Sequence, residues 1–321
     1  MSGKTGCMGM IFGVFLGLVL GGFGLWHWAV ANSSAGLLDR IDAAFPRSHA
    51  VAFPVQARYA PDPAQRVELW VPEGTPPSGG WPLVAFIHGG GWHSGAPQDY
   101  RFVARTLGEH GYATALVGYR LVPQGKYPAM LQDSAAGIAW IRSDAGKYGV
   151  DAKRFALMGH SAGAYNVLML ALDPEWLAKA GVPQSAIEGV VSLAGPTDFY
   201  PFTSDSARNA FGEAPDPKRT QPITFARADA PPILLLQGAA DETVRPKNAR
   251  NLAAALRAKG GVVEEREFAG MSHAGIIMAL SKPFAQGDKV LDPILAFLGR
   301  VRADHPEGSA QASVPVQAEN R

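Results

Sequence analysis

The stretch RFALMGHSAGAYNVLML, residues 154–170, decides the fold. Its opening, Arg154 to Gly159, is a short apolar run of strand type, and from Ser161 onward small and apolar residues suit a helix. Between the two stands Gly159-His160-Ser161-Ala162-Gly163, a G-x-S-x-G. A serine on the sharp turn from strand to helix is lifted clear of the backbone, and the flanking glycines permit that turn. The following helix points its free N–H groups at negative charge developing beside the serine. Ser161 is therefore the candidate nucleophile.

Working outward, apolar runs alternate with helical patterns. Strands are expected at 66–71, 83–87, 112–118, 154–159, 187–195, 232–238 and 262–268. Helices are expected at 98–110, 129–147, 161–171, 246–259 and 288–302. The alternation predicts an α/β fold with a mostly parallel sheet and helices on both faces. The continuous run LVAFI (83–87) fits a strand buried on both sides. Residues 196–230 hold no clear strand, are rich in Pro, Asp and Phe, and are placed to form a small lid.

His88-Gly89-Gly90-Gly91-Trp92 follows LVAFI directly. Without Cβ atoms in the way, backbone N–H groups of such a loop approach a substrate carbonyl closely. Gly90, Gly91 and Ala162 are the expected donors to the oxyanion of a tetrahedral intermediate. His88 is read as a structural hydrogen-bonder rather than a base.

In this type of site the acid and then the histidine follow the serine along the chain. Asp241 lies just after the strand PILLLQG, at its carboxyl end, where active-site loops of open α/β sheets gather. Asp198, after the preceding strand, and Glu242 are the competing acids. His273 follows VVEEREF, and beyond residue 160 the only other histidine is His305 in the tail. His273 is thus the expected base, Asp241 its orienting acid. Trp92, Tyr100 and Tyr165 lie near the motifs and are read mainly as packing residues.

The bulk numbers agree with one large folded domain: 321 residues, 47% hydrophobic and 18% charged. With 29 basic and 28 acidic residues and no basic stripe, nucleic acid is not an expected partner. Cys7 is the single cysteine, which excludes an intrachain disulfide, and no Cys/His cluster has zinc spacing. No metal is expected.

The HGGGW loop, GHSAG, Asp and His are separated by 73 residues from His88 to Ser161, 80 more to Asp241 and 32 more to His273. With Tyr119-Arg120-Leu121, Tyr127-Pro128-Ala129 and Asp133, the set resembles the hormone-sensitive-lipase and carboxylesterase branch of the α/β-hydrolases over roughly residues 50–300. The resemblance implies an α/β-hydrolase fold, with Gly90, Gly91 and Ala162 as the oxyanion hole. It further implies a cofactor-free enzyme acting on esters of modest size. The loop is also similar to the H-G-G-x-W of arylformamidases, so amide or peptide hydrolysis by the same triad is the alternative. A third reading is an inactive fold serving as a membrane-bound interaction module.

Residues 8–31, MGMIFGVFLGLVLGGFGLWHWAVA, hold no Asp, Glu, Lys or Arg over 24 positions. About 20 apolar residues cross a bilayer core as a helix. One transmembrane helix is expected here, after a short cytoplasmic leader over 1–7 that carries Lys4, with the domain on the extracytoplasmic side. Secretion after cleavage near Ala31 is the alternative. Gly9, Gly13, Gly17 and Gly21 share one helix face and suit a homodimer contact. A linker is expected over 32–50, the catalytic domain over 51–303 and a disordered tail over 304–321.

Overall fold

The computed structural model describes residues 35–49, 51–285 and 289–304. Eight strands form one sheet: β1 Val51–Arg58, β2 Arg66–Pro72, β3 Leu83–Ile87, β4 Ala113–Val117, β5 Phe155–His160, β6 Ile187–Leu193, β7 Ile233–Gly238 and β8 Val263–Phe268. Their order is β1-β2-β4-β3-β5-β6-β7-β8. β2 runs antiparallel to both β1 and β4, and every pairing from β4 to β8 is parallel.

The central strands are buried along their whole length because both faces of the sheet are covered. Side chains alternate across a strand. Leu83, Ala85 and Ile87 of β3 therefore enter one core, and Val84 and Phe86 enter the other. A side chain such as Phe86, wholly buried, contributes about 1.5–3 kcal/mol relative to exposure.

The helices are α1 Ala35–Ala43, α2 Arg101–Glu109, α3 Ala129–Asp144, α4 Ala162–Leu172, α5 Glu175–Lys179, α6 Asp205–Phe211, α7 Lys247–Lys259, α8 His273–Met278 and α9 Leu291–Ala303. α4 is buried at every position and packs on the sheet behind Ser161. Arg120, just beyond β4, grips the buried Asp133 of α3 through Nε at 2.7 Å and its second terminal nitrogen at 2.8 Å. That ion pair fixes the exit of β4 against α3.

Two regions differ from the expectation. β1 lies where the sequence shows no clean alternation; its register shifts between Ala52 and Val55, around Pro54, which has no N–H to give the ladder. The stretch 32–50, expected as a linker, contains α1, and α1 is docked on the domain. Asp42 is fully buried and accepts from Arg47 at 2.7 Å, Arg105 Nε at 2.9 Å and the Lys282 N–H at 2.8 Å. The anchors are long-range ion pairs, which a local reading of polarity does not see.

The expected membrane helix over 8–31, its leader over 1–7 and the tail from 305 lie outside the described residues. Among the described residues no helix is long and apolar enough to cross a membrane.

Candidate active site

β5 delivers the serine. Ser161 sits at φ 54°, ψ −119°, a left-handed backbone that side chains rarely adopt. The Ser161 N–H donates to Leu193 O of β6 at 2.8 Å, and Ser161 O accepts from the Tyr165 N–H at 3.0 Å. These bonds hold the strained turn in place. The glycines beside it have no room to change: a Cβ on Gly159 would lie 2.4 Å from Gly163 O, and one on Gly163 would lie 2.0 Å from Ile87 O.

β7 and the turn after it deliver the acid, and the loop after β8 delivers the base. His273 Nε2 lies 2.9 Å from Ser161 Oγ, and His273 Nδ1 lies 2.8 Å from Asp241 Oδ2. Asp241 is buried, and its other oxygen accepts from the Thr243 and Val244 N–H groups at 2.9 and 2.8 Å. Ser161, Asp241 and His273, far apart in the chain, thus form one hydrogen-bonded series.

The competing acids are placed elsewhere. Asp198 accepts from Asn251 Nδ2 at 2.7 Å. Glu242 is exposed.

The HGGGW loop is shaped by its carbonyls. The Gly90 carbonyl accepts from the His93 N–H at 3.1 Å, the Ser94 N–H at 3.0 Å and Ser94 Oγ at 3.0 Å. A trans peptide points its N–H opposite to its C=O, so the Gly91 N–H is turned out of that loop. The Gly89 carbonyl lies 2.8 Å from His88 Nδ1, which likewise turns the Gly90 N–H away from His88. Gly90 has φ +118°, and a Cβ there would lie 2.1 Å from Ser94 O. Ala162 opens α4, so its N–H belongs to the first turn, which has no intrahelical acceptor.

His88 stacks on Tyr119 with ring centroids 4.5 Å apart, and Tyr119 Oη donates to His88 O at 3.2 Å. Burial pushes its pKa down to about 4, and the ring remains a neutral donor. It acts as the structural hydrogen-bonder expected of it.

Sequence reasoning missed two neighbours of the series. Gln237 of β7 donates to Asp241 Oδ2 at 2.8 Å and to Val244 O at 2.9 Å. His160 Nε2 lies 3.3 Å from the His273 carbonyl, with the two rings 5.1 Å apart. Burial, with the nearby His273 second, pushes the His160 pKa down to about 3. The neutral ring then donates through Nε2 and ties the elbow to the loop bearing the base. The only sequence signal for these residues is their place at a strand's carboxyl end.

The segment 196–230, where a small lid is expected, carries α6 and packs against the HGGGW loop. Trp92 meets Phe211 of α6 edge-on at 4.7 Å and Tyr165 at 5.4 Å, while Phe199 stacks on Trp92 at 6.1 Å. Trp92 and Tyr165 are buried in this aromatic cluster. Ser206 of α6 reaches the oxyanion loop: its Oγ would lie 3.1 Å from a Cβ placed on Gly91. Among the described residues no group of three or more His, Cys, Asp or Glu is placed to hold a metal ion.

The fold and motifs are those of the carboxylesterase-type α/β-hydrolases. The chain belongs to the BD-FAE family, whose model matches residues 68–256. It is similar to the isoprenylcysteine alpha-carbonyl methylesterase ICME of Arabidopsis thaliana, 26% identical over 75% of this chain and 60% of that protein. It is also similar to esterase LipC of Mycobacterium tuberculosis, 29% identical over 62% of this chain and 54% of that one. This chain therefore spans less than two thirds of the length of either relative. Among solved structures, inhibited esterase B of Lactobacillus rhamnosis superposes with a TM-score of 0.73 at 20% identity, covering 92% of this chain and all of that one. Esterase 2 of Thermogutta terrifontis gives 0.66 at 23%, covering 77% and 94%.

Proposed function

We propose that the chain is a serine hydrolase of carboxylic esters of small to medium size, working through an acyl-enzyme on Ser161. One observation carries this reading: the unbroken series Ser161–His273–Asp241, with contacts of 2.9 and 2.8 Å, at a strained strand-to-helix elbow. The relatives that bear the name esterase support ester over amide substrates.

His273 Nε2 takes the proton of Ser161 Oγ as that oxygen attacks the ester carbonyl carbon. The negative charge then formed on the carbonyl oxygen is met by the N–H groups of Gly90, Gly91 and Ala162. Collapse of the tetrahedral intermediate breaks the bond to the alcohol oxygen, which leaves with the proton from His273. Water enters, His273 removes one of its protons, and the hydroxide attacks the acyl carbon. Release of Ser161 Oγ, reprotonated by His273, gives the free acid. Asp241 remains a carboxylate throughout, holding the proton on Nδ1 and stabilising the imidazolium.

Residues 8–31 serve as a membrane anchor with the domain on the extracytoplasmic side. Their 24 uncharged positions and the basic leader support this. The face of Gly9, Gly13, Gly17 and Gly21 suits contact with a second copy. Cleavage near Ala31 is the competing arrangement, and an alkaline carbonate wash separates them.

The test is hydrolysis of 4-nitrophenyl esters from acetate to dodecanoate by the full chain, beside Ser161→Ala. Cleavage of the short esters by the wild type alone is expected. A wild type that cleaves no ester at any chain length would overturn the reading.

A further inference from the structure

The direction of α1 fixes which end of the domain faces the anchor. β3 and β4 are parallel neighbours joined through α2, so α2 must run from the carboxyl end of β3 back to the amino end of β4. Its first turn, with the preceding Pro97–Tyr100, therefore lies at the carboxyl ends of the strands, beside the triad. α1 descends alongside α2 in the same direction. Gly36 abuts Asp99, where a Cβ would lie 2.8 Å from Asp99 Oδ1. One turn on, Asp39 Oδ1 accepts from Arg105 at 2.6 Å. Beyond the helix, Arg47 reaches Thr106 at 3.2 Å and Glu109 at 2.7 Å, at the far end of α2. The chain thus enters the domain at the triad end. Tyr100, next to Asp99, is hydrogen-bonded to the Gly89 backbone of the oxyanion loop.

We infer that the domain is held with its active-site end toward the bilayer surface, and that its substrate is an amphiphilic ester taken from that surface. This rests on reading residues 8–31 as an anchor. Three residues, Asn32 to Ser34, separate Ala31, the end of the apolar run, from Ala35, the start of α1. Fully extended, the four Cα steps from Ala31 to Ala35 reach about 14 Å. The ion pairs of Asp39, Asp42 and Arg47 fix α1 to the domain, so its first residue stays at the triad end.

The opposite end of the sheet holds the competing surface, a groove whose charged lining is Arg142, Lys153, Arg154 and Arg227 with Asp229 and Asp304. It lies across the length of the strands from the point of attachment, about 20 Å for strands of this length. At the triad end the segment 196–230 exposes Tyr200, an aromatic with a polar tip of the kind found at membrane interfaces. The aromatic cluster of Trp92, Tyr165, Phe199 and Phe211 backs the same end. An ester that partitions into the surface is concentrated beside the triad end, and a freely soluble polar ester is not.

The experiment uses the full chain with Cys7→Ser and one new cysteine, either Tyr200→Cys or Lys153→Cys, labelled with a donor dye. Each is reconstituted in phosphatidylcholine–phosphatidylglycerol vesicles carrying acceptor-labelled headgroups. Energy transfer from position 200 at least about twice that from position 153 is expected. Equal transfer, or stronger transfer from 153, overturns the orientation while the anchor stands. Release of the protein by alkaline carbonate removes the anchor reading and the orientation with it. For the substrate, a 20-residue Gly/Ser insertion between Asn32 and Ser33 frees the domain from its fixed height. Turnover of a medium-chain monoacylglycerol held in the vesicles should fall severalfold, with 4-nitrophenyl acetate hydrolysis unchanged. Equal turnover of the vesicle-held ester with and without the insertion overturns the substrate class.

Discussion

Gln237 places its side-chain amide 2.8 Å from Asp241 Oδ2, the same oxygen that faces His273 Nδ1. Gln237 is fully buried on β7 and also donates to Val244 O. It therefore fixes both the carboxylate and the turn that carries it. A hydrogen bond to a charged group contributes about 1.5–3 kcal/mol. Gln237→Leu should lower kcat by about tenfold or more with little change in KM, since the amide touches the acid and not the ester. Steady-state kinetics on 4-nitrophenyl acetate separates the two; an unchanged kcat would show that Asp241 is held by its backbone donors alone.

The choice of acid is open to direct comparison. Asp241→Asn should lower kcat by about 10⁴-fold through loss of the correct histidine tautomer. Asp198→Asn, which alters a contact to Asn251 and none to His273, should stay within about twofold of wild type and within about 0.5 kcal/mol in stability. The reverse ranking would make Asp198 the acid.

Gly90 tests the oxyanion loop. Its φ of +118° and the 2.1 Å approach of a Cβ to Ser94 O require the loop to rebuild in Gly90→Ala. Loss of one oxyanion donor costs about 10²–10³ in kcat. The drop is expected with a near-native circular dichroism spectrum, because Gly90 itself belongs to neither core and lies outside every helix and strand. A normal kcat would remove Gly90 and Gly91 as the donors.

Stability should depend on two buried histidines. The pKa of His88 lies near 4 and that of His160 near 3 in the folded protein, both lowered first by burial. The unfolded chain takes up these protons near pH 6.5. The stability held by the neutral rings is therefore complete above pH 6.5 and is lost as the pH falls toward 4. By pH 5 the loss is about 2 kcal/mol for each histidine. Urea unfolding at pH 7 and pH 5 measures it, and His160→Gln should flatten the slope by about half. A variant as acid-sensitive as wild type would place the titration elsewhere.

Asp42 tests the docking of α1. Its carboxylate meets Arg47, Arg105 and the Lys282 N–H while fully buried. Asp42→Ala leaves the Lys282 N–H without its acceptor and Arg47 and Arg105 with only Glu109 and Asp39 as partners, and should destabilise the domain by about 3 kcal/mol. A urea midpoint that does not move would mean that α1 detaches without consequence.

Much of this protein was legible from local pattern. Phe155–His160 and Leu83–Ile87 are apolar throughout because a central strand covered on both faces has no polar side to show. The serine could be located because an elbow needs glycines where Gly159 and Gly163 stand, and a Cβ at either would collide with backbone. Chain order alone then ranked Asp241 and His273 ahead of their competitors. β1 and α1 were not legible, since an edge strand containing Pro54 and a helix held by ion pairs more than 60 residues away leave no periodic trace.

The sequence by itself determined the class of fold and marked Ser161 as the candidate nucleophile, because steric limits on the backbone act between near neighbours and are written in local residue choice. Tertiary structure alone decided that Gln237 and His160 buttress the acid and base, that His88 is a neutral scaffold, and that the chain enters beside the triad. The His160–His273 contact joins segments far apart in sequence, and the Gln237 bonds to Asp241 and Val244, though local, form only because the turn after β7 folds back on a buried strand.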